Sequence, residues 1–244
     1  MKIALIGYGR MGHAIEEAAE RRGHEIVARI DVDNQEDFDS EAFASADVAI
    51  EFTIASQAPG NIRRAWSKGL PVVSGTTGWL VEPVVDELRK EAEASGRSLI
   101  HSSNFSVGVN LLFAVNRYLA RIIEPFGYSL AMEETHHIHK LDHPSGTAIS
   151  LANGIIDSNS RYESWEETDT DAGSPGPVIP VECRREGENP GFHQVKWQSS
   201  VDSLTLSHQA FSRMGFAEGS VLAAEWIVRQ PSGRVYAIGD MVNF

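Results

Sequence analysis

The 244-residue chain is short of cysteine, of cationic side chains and of long apolar runs, and each shortage removes a class of protein. Its single cysteine, Cys183, excludes an intrachain disulfide and fits a reducing cytoplasm. Nothing beside Cys183 marks it as a nucleophile, so it reads as a small, half-buried apolar residue. Only 21 basic residues stand against 34 acidic ones, and the net charge of −13 argues against nucleic acid or an anionic membrane as partner. Any anionic ligand must therefore be held by a local cluster. No uninterrupted apolar stretch is long enough to span a bilayer. A secretory leader is not expected, because Gly7, Gly9 and Arg10 interrupt the first apolar run almost at once. The expectation is a soluble, cytoplasmic protein whose 42% hydrophobic residues suffice for one or two cores.

What is present begins with Lys2-Ile-Ala-Leu-Ile-Gly7, a short apolar run ending at glycine that reads as a buried strand of a parallel sheet. Met11, Ala14, Ile15, Ala18 and Ala19 then recur at helical spacing as far as Gly23, and residues 24–31 read as a second strand. In that setting Gly7, Gly9 and Gly12 form a G-x-G-x-x-G pattern: a tight turn, a close approach of backbone to a pyrophosphate, and a tight helix–strand contact. Asp31 lies nineteen residues beyond Gly12, where a carboxylate accepts hydrogen bonds from a ribose diol; Asp33 replaces it if the strand ends later. No Arg or Lys follows closely to pair with a 2′-phosphate, which favours NADH over NADPH, although Arg10 or a distant residue can do the same work.

Further strands are expected at 47–53, 71–74 and 97–101, with helices around 57–68 and 81–94. Strands and helices alternating at this length imply a doubly wound parallel sheet of the Rossmann type. Ligands bind beyond the carboxyl edge of such sheets. Three segments end there: Glu51-Phe52-Thr53, Gly75-Thr76-Thr77-Gly78 and Ser102-Ser103-Asn104-Phe105-Ser106. Their small and hydroxyl side chains suit a nicotinamide pocket.

From Val107 the pattern changes. Val109, Leu112, Phe113, Asn116, Leu119 and Ala120 mark a long amphipathic helix. A strand is expected at 128–137, a helix at 145–156, a polar loop or lid at 157–177, and strands at 178–185, 192–199 and 203–211. Together they predict an α+β domain with an open, mixed, mostly antiparallel sheet. A helix at 215–229 and a short strand or extended tail at 234–242 are expected to return to the first domain. The division expected is 1–107 with 215–244 for the dinucleotide and 108–214 for substrate and assembly.

The densest chemistry lies at 133–147, with four imidazoles, one ammonium group and three acidic side chains followed by Ser145-Gly146-Thr147. Hydride delivered to an unsaturated carbon leaves negative charge on a neighbouring atom, so a positioned proton donor is needed. Lys140 and the imidazoles of His136, His137 and His139 are the donors available. In a strand His137 and His139 face one side and His136 the other, so they converge only across a turn. Taken alone, each histidine reads more readily as a surface or satisfied core residue than as a functional group. No metal is expected, because His-His-x-His lacks the helical i, i+4 spacing and has no cysteine partner.

The run 134–148, Glu-Thr-His-His-Ile-His-Lys-Leu-Asp-His-Pro-Ser-Gly-Thr-Ala, resembles the signature of the 4-hydroxy-tetrahydrodipicolinate (dihydrodipicolinate) reductases of the diaminopimelate route to lysine. Gly9-Arg-Met-Gly12, Phe52-Thr53, Gly75-Thr-Thr-Gly78, Asn104-Phe-Ser-Val-Gly-Val-Asn110 and His208-x-Ala-x-Ser-Arg213-x-Gly-Phe-Ala217 fall in the same order as in that family. The resemblance implies NADH or NADPH as cofactor, a cyclic imine dicarboxylate as substrate and a homotetramer. It makes His136 and Lys140 the catalytic pair, with Lys140 the proton donor. His137, Lys140, Ser145, Gly146 and Thr147 would hold the substrate's carboxylates. Gly7, Gly9, Arg10, Met11, Gly12, Asp31, Phe52, Thr53, Gly75, Thr76, Thr77, Ser103, Asn104 and Phe105 would meet the cofactor. His143 stands where the family usually has a small residue, and the glycine loop is shorter than in its larger members. Two other readings compete: a diaminopimelate dehydrogenase, which does not require the His-His-x-His-Lys run, and a catalytically silent dinucleotide sensor, which does not require Lys140.

Overall fold

In a computed structural model of the protein, described over residues 1–81, 83–170 and 172–242, the chain divides into two units. The first comprises Met1–Val107 and the chain from Arg213 onward; the second is Gly108–Ser212.

In the first unit, Ile3, Ala4, Leu5 and Ile6 of strand β1 (Lys2–Ile6) are all buried, so this strand has apolar cover on both faces. A strand of that kind needs helices above and below it. They come from α1 (Arg10–Arg21), β2 (Glu25–Ile30), α2 (Glu41–Ala44), β3 (Val48–Glu51), α3 (Ala58–Ser67), β4 (Val72–Ser74), α4 (Val84–Ser95) and β5 (Leu99–His101) in alternation. Ala4 and Ile6 join a core with Ile62 and Ala65 of α3 and Leu88 and Ala92 of α4. Ile3 and Leu5 face the other way, towards Ile15 and Ala18 of α1.

In the second unit, α5 (Val107–Ile123) leads into β6 (Ser129–His136), α6 (Gly146–Ile156), β7 (Ser164–Thr168), β8 (Val178–Arg185), β9 (Phe192–Gln198) and β10 (Ser203–Gln209). The strands lie in the order β10-β9-β6-β8-β7. β10, β9 and β6 pair antiparallel, whereas β6–β8 and β8–β7 pair parallel. The sheet is therefore mixed, and the expectation of a mostly antiparallel one is corrected: the α6 crossover returns the chain in the direction of β6. Trp197, Val195, Leu130 and Val181 pack against Leu151 and Ile155 of α6 and Ala120 and Ile123 of α5.

The loop expected at 157–177 contains strand β7. Its sequence Ser-Trp-Glu-Glu-Thr is mostly exposed, and it pairs only with β8 at the sheet edge. Charged side chains are how an edge strand avoids further pairing, and they gave it the composition of a loop.

The chain then returns to the first unit through α7 (Met214–Ile227), β11 (Val235–Ala237) and α8 (Ile238–Val242). Ala217, Val221 and Ala224 of α7 complete the core around Ile3 and Leu5. β11 pairs parallel with β5 and closes a six-stranded sheet of order β11-β5-β4-β3-β1-β2. The predicted tail is thus a true strand followed by a helical turn. The strand order reverses between β1 and β3, the crevice where open parallel sheets bind ligands.

Candidate active site

At that crevice β1 ends in Gly7, whose φ of +91° is left-handed and whose added Cβ would lie 2.0 Å from the Phe52 carbonyl oxygen. A Cβ on Gly12 would lie 2.5 Å from the Gly7 oxygen, so α1 can start this close to β1 only with glycine there. Gly9 differs, since a Cβ there would meet nothing within 4 Å. It caps α1 without a side-chain hydrogen bond, and the first turn carries no acidic residue. The free N–H groups of α1 therefore face open space, which fits a dinucleotide pyrophosphate.

A cleft of about 320 Å³ lies beside this turn, lined by Arg10, Met11, Phe52, Gly75, Ser103 and Phe105. Arg213 and Phe216 complete its wall, although neither was singled out as a site residue from the sequence. Arg213 lies 161 residues beyond Phe52 and becomes a neighbour only because α7 folds back. Asp31, just past β2, accepts a hydrogen bond from the Tyr8 N–H at 3.3 Å and one from Val32 N–H at 2.9 Å. Asp33 is exposed. Arg29, the cation nearest in sequence, is bound to Glu16, which also accepts from the Tyr8 hydroxyl.

Thr53 and Thr76 are turned inward on Glu51, a fully buried carboxylate. It accepts from Thr53 N–H at 3.1 Å, Ser74 Oγ at 2.6 Å, Thr76 Oγ1 at 2.8 Å and the Thr53 hydroxyl. Glu51 thus ties the ends of β3 and β4 together behind the cleft. Thr77 is exposed. Asn104 accepts from Ser106 N–H at 2.9 Å and shapes the turn after β5.

In the second unit β6 ends at His136, and the chain turns through residues 137–144 before Ser145 caps α6. The turn separates the imidazoles. His136 is buried, with Nδ1 3.7 Å from Glu134 Oε1. His137 is half-buried, its ring 6.1 Å from that of His139, and exposed His139 pairs with Glu188 at 3.3 Å. His143 pairs with Glu167 of β7 at 3.4 Å. Lys140 Nζ lies 2.8 Å from both carboxylate oxygens of Asp142, which holds the Asp142 carboxyl below its usual range.

Ser145 faces inward. Its N–H donates to Glu134 Oε2 at 3.0 Å, and its Oγ accepts from Ala148 N–H at 3.2 Å while meeting His193 Nε2 at 3.1 Å. Gly146 is exposed and Thr147 half-buried at the start of α6. Glu134 is the hub of this arrangement. Its burial favours the neutral form, but the His136 and His193 rings, each 3.7 Å from a Glu134 oxygen, and the Ser145 N–H outweigh that and hold the carboxyl far below the usual carboxylate range. Burial lowers the pKa of His193, which favours the neutral ring. Arg185 of β8 places both terminal nitrogens 3.2 Å from Glu134 Oε1.

Glu134, His136 and His193 bring potential metal-ligand atoms within 4.8 Å of one another, a grouping that linear spacing does not reveal. Both oxygens of Glu134 are already engaged, one by the Arg185 guanidinium and the other by Ser145 N–H. A cation here would have to displace a cation. Cys183 lies on the same strand as Arg185, and burial together with the charges of Glu134 and Glu167 pushes its thiol up to about 12.

A parallel sheet with a glycine turn and a cleft at its switch point, and a second unit bearing an ammonium group on the loop that follows a buried imidazole, define a pyridine-nucleotide-dependent oxidoreductase. Comparison with known proteins makes this particular. Models of the dihydrodipicolinate reductase N-terminus and C-terminus match residues 1–105 and 108–242. The 4-hydroxy-tetrahydrodipicolinate reductase of Christiangramia forsetii is 43% identical over 228 residues, covering 93% of this chain and 92% of that protein. The enzyme of the same name from Archaeoglobus fulgidus is 33% identical over the full length of both. A dipicolinate-bound dihydrodipicolinate reductase from Paenisporosarcina sp. TG-14 shares the fold, with a TM-score of 0.78 at 20% identity over 97% of each chain. The chain belongs to the dihydrodipicolinate reductase family and is an NAD(P)H-dependent oxidoreductase of lysine biosynthesis.

Proposed function

We propose the following division of labour for the reduction of 4-hydroxy-tetrahydrodipicolinate to tetrahydrodipicolinate, in which the substrate's hydroxyl is lost as water and a hydride and a proton are added. The first unit binds the cofactor: α1 N–H groups and Arg10 at the pyrophosphate, Asp31 at the ribose, and Phe52, Gly75 and the 103–105 turn at the nicotinamide. A reduced nicotinamide seated there supplies hydride. The second unit binds the cyclic imine dicarboxylate. Lys140 delivers a proton from Nζ as negative charge develops on the substrate, and His136 orients the reacting ring. His137 and the N–H groups of Gly146 and Thr147 at the start of α6 grip a carboxylate.

The observation that carries this reading is the Lys140 ammonium lying against a carboxylate, at 2.8 Å, on the loop that joins His136 to α6. A proton donor and an anion grip then share one short segment. The test supplies the product of the aldol-type condensation that precedes this step and follows oxidation of NADH and of NADPH. Turnover with neither overturns the assignment.

NADH is the preferred cofactor in this reading. The Asp31 carboxylate repels a 2′-phosphate, and Arg29 is neutralised by Glu16. The working form is a cytoplasmic homotetramer assembled through the second unit. Leu111, Val115, Tyr118 and Ile122 recur along one side of α5 and are 44–57% exposed, a stripe that a second copy of the chain would cover.

A further inference from the structure

The loop of residues 137–144 has few backbone bonds of its own. Ile138 N–H reaches the Gly187 carbonyl at 3.1 Å and Lys140 N–H closes a turn on the His137 carbonyl at 3.1 Å. Beyond Lys140 a single side chain takes over. Arg185 Nε donates to the Lys140 carbonyl at 3.2 Å and Nη2 donates to the Asp142 carbonyl at 2.6 Å. The same guanidinium holds Glu134 Oε1, and Glu134 Oε2 accepts the Ser145 N–H at 3.0 Å. The side chains of this pair are 13% and 0% exposed.

We propose that the largely buried Glu134–Arg185 pair is the positioning device of the active site, fastening the middle and the far end of the loop that carries Lys140. Arg185 holds the Lys140–Asp142 backbone, and Glu134 holds the cap of α6 where a carboxylate would be gripped. Neither side chain touches the substrate. The planar fork matters as much as the charge, because Nε, Nη1 and Nη2 of one rigid group are all used to meet the carboxylate and the two carbonyls. Lysine at the same place keeps the charge but cannot reach all three acceptors.

This inference rests on the reaction assigned above, and its test separates the two. Arg185→Lys and Arg185→Ala are compared with the unaltered protein for kcat, KM, NADH affinity and amide hydrogen exchange in residues 138–145. Expected for Arg185→Lys are NADH affinity within twofold of the parent, kcat lower by about tenfold and a raised KM. The alanine variant should lose about 100-fold in kcat/KM, the scale of a reacting group misplaced by about 1 Å. Exchange in the loop should quicken by tenfold or more in both. A merely structural role predicts a smaller active fraction with KM unchanged. The proposal is overturned by kcat and KM within twofold of the parent in both variants, or by unchanged loop exchange. It is also overturned if the lysine variant unfolds or loses NADH binding, since the pair is then a general structural support. Absence of turnover in the parent together with quickened loop exchange in both variants strikes the reaction and leaves the positioning role standing.

Discussion

At the scale of single residues, the proposed proton donor is Lys140. Lys140→Ala is expected to lower kcat by about 10²–10⁴-fold, the usual worth of a positioned proton donor. A steady-state kcat near that of the parent removes Lys140 from the role. Asp31 belongs to the other half of the site. Asp31→Ala should weaken NADH binding by about tenfold, the equivalent of one or two charge-assisted hydrogen bonds, with turnover at saturation largely kept. Titration showing unchanged NADH affinity would move the ribose contact to Asp33. The residues proposed for the chemistry stand out in the sequence because a run such as 136–140 is dense in titratable groups. Their supports do not. Arg185 is 51 residues from Glu134 and His193 is 48 from Ser145, so each pair exists only through the register of β6 with β8 and β9. Glu51 carried a faint signal, an acidic residue closing an otherwise apolar strand, and its four donors gather only once β3 and β4 lie side by side.

At the scale of elements, α7 shows how closely the returning chain is fitted. A Cβ on Gly219 would lie 1.7 Å from the Phe105 carbonyl oxygen. Gly219→Ala should therefore destabilise the first unit by about 1–3 kcal/mol or more through overpacking, and loosen the 103–105 turn at the cleft. Denaturant unfolding and NADH affinity should both register it; a variant matching the parent in each would refute the tight fit. α7 also carries Glu225, which binds Arg22 and His24 at 2.7–2.8 Å. The Arg22 guanidinium leads in lowering its carboxyl from the ordinary 4.5 to about 2. Because the folded value is the lower one, this stabilisation is complete above the unfolded value and fades as pH falls from about 4.5 through about 2. Glu225→Gln should lose about 1 kcal/mol at neutral pH and nothing at the acid end. A pH-independent penalty would show that the loss is one of packing. Elements buried on both faces, such as β1 and β3, were plain in the sequence. β7 was not, because an edge strand with two glutamates is built to resemble a loop.

At the scale of the whole molecule, the exposed apolar stripe on α5 is what the proposed assembly would cover. Sedimentation should give four copies in solution, and Tyr118→Glu in the stripe should shift the distribution to smaller species. A parent that sediments as a monomer at assay concentrations would overturn the tetramer. The net charge was legible from composition, and so was the need for a local cation cluster; the structure answers with Arg10 and Arg213 on one cleft and Lys140 in the second unit. The lone cysteine has a use of its own. With its thiol pushed up to about 12 beside the carboxylates of β6 and β7, Cys183 should resist a thiol reagent at neutral pH in the folded protein and react once the chain is unfolded. The molecule is therefore a chemically silent background. A cysteine placed at Leu141, which is 92% exposed on the loop that carries Lys140, would be the one thiol to take a fluorophore, and its signal would report that loop alone through a catalytic cycle.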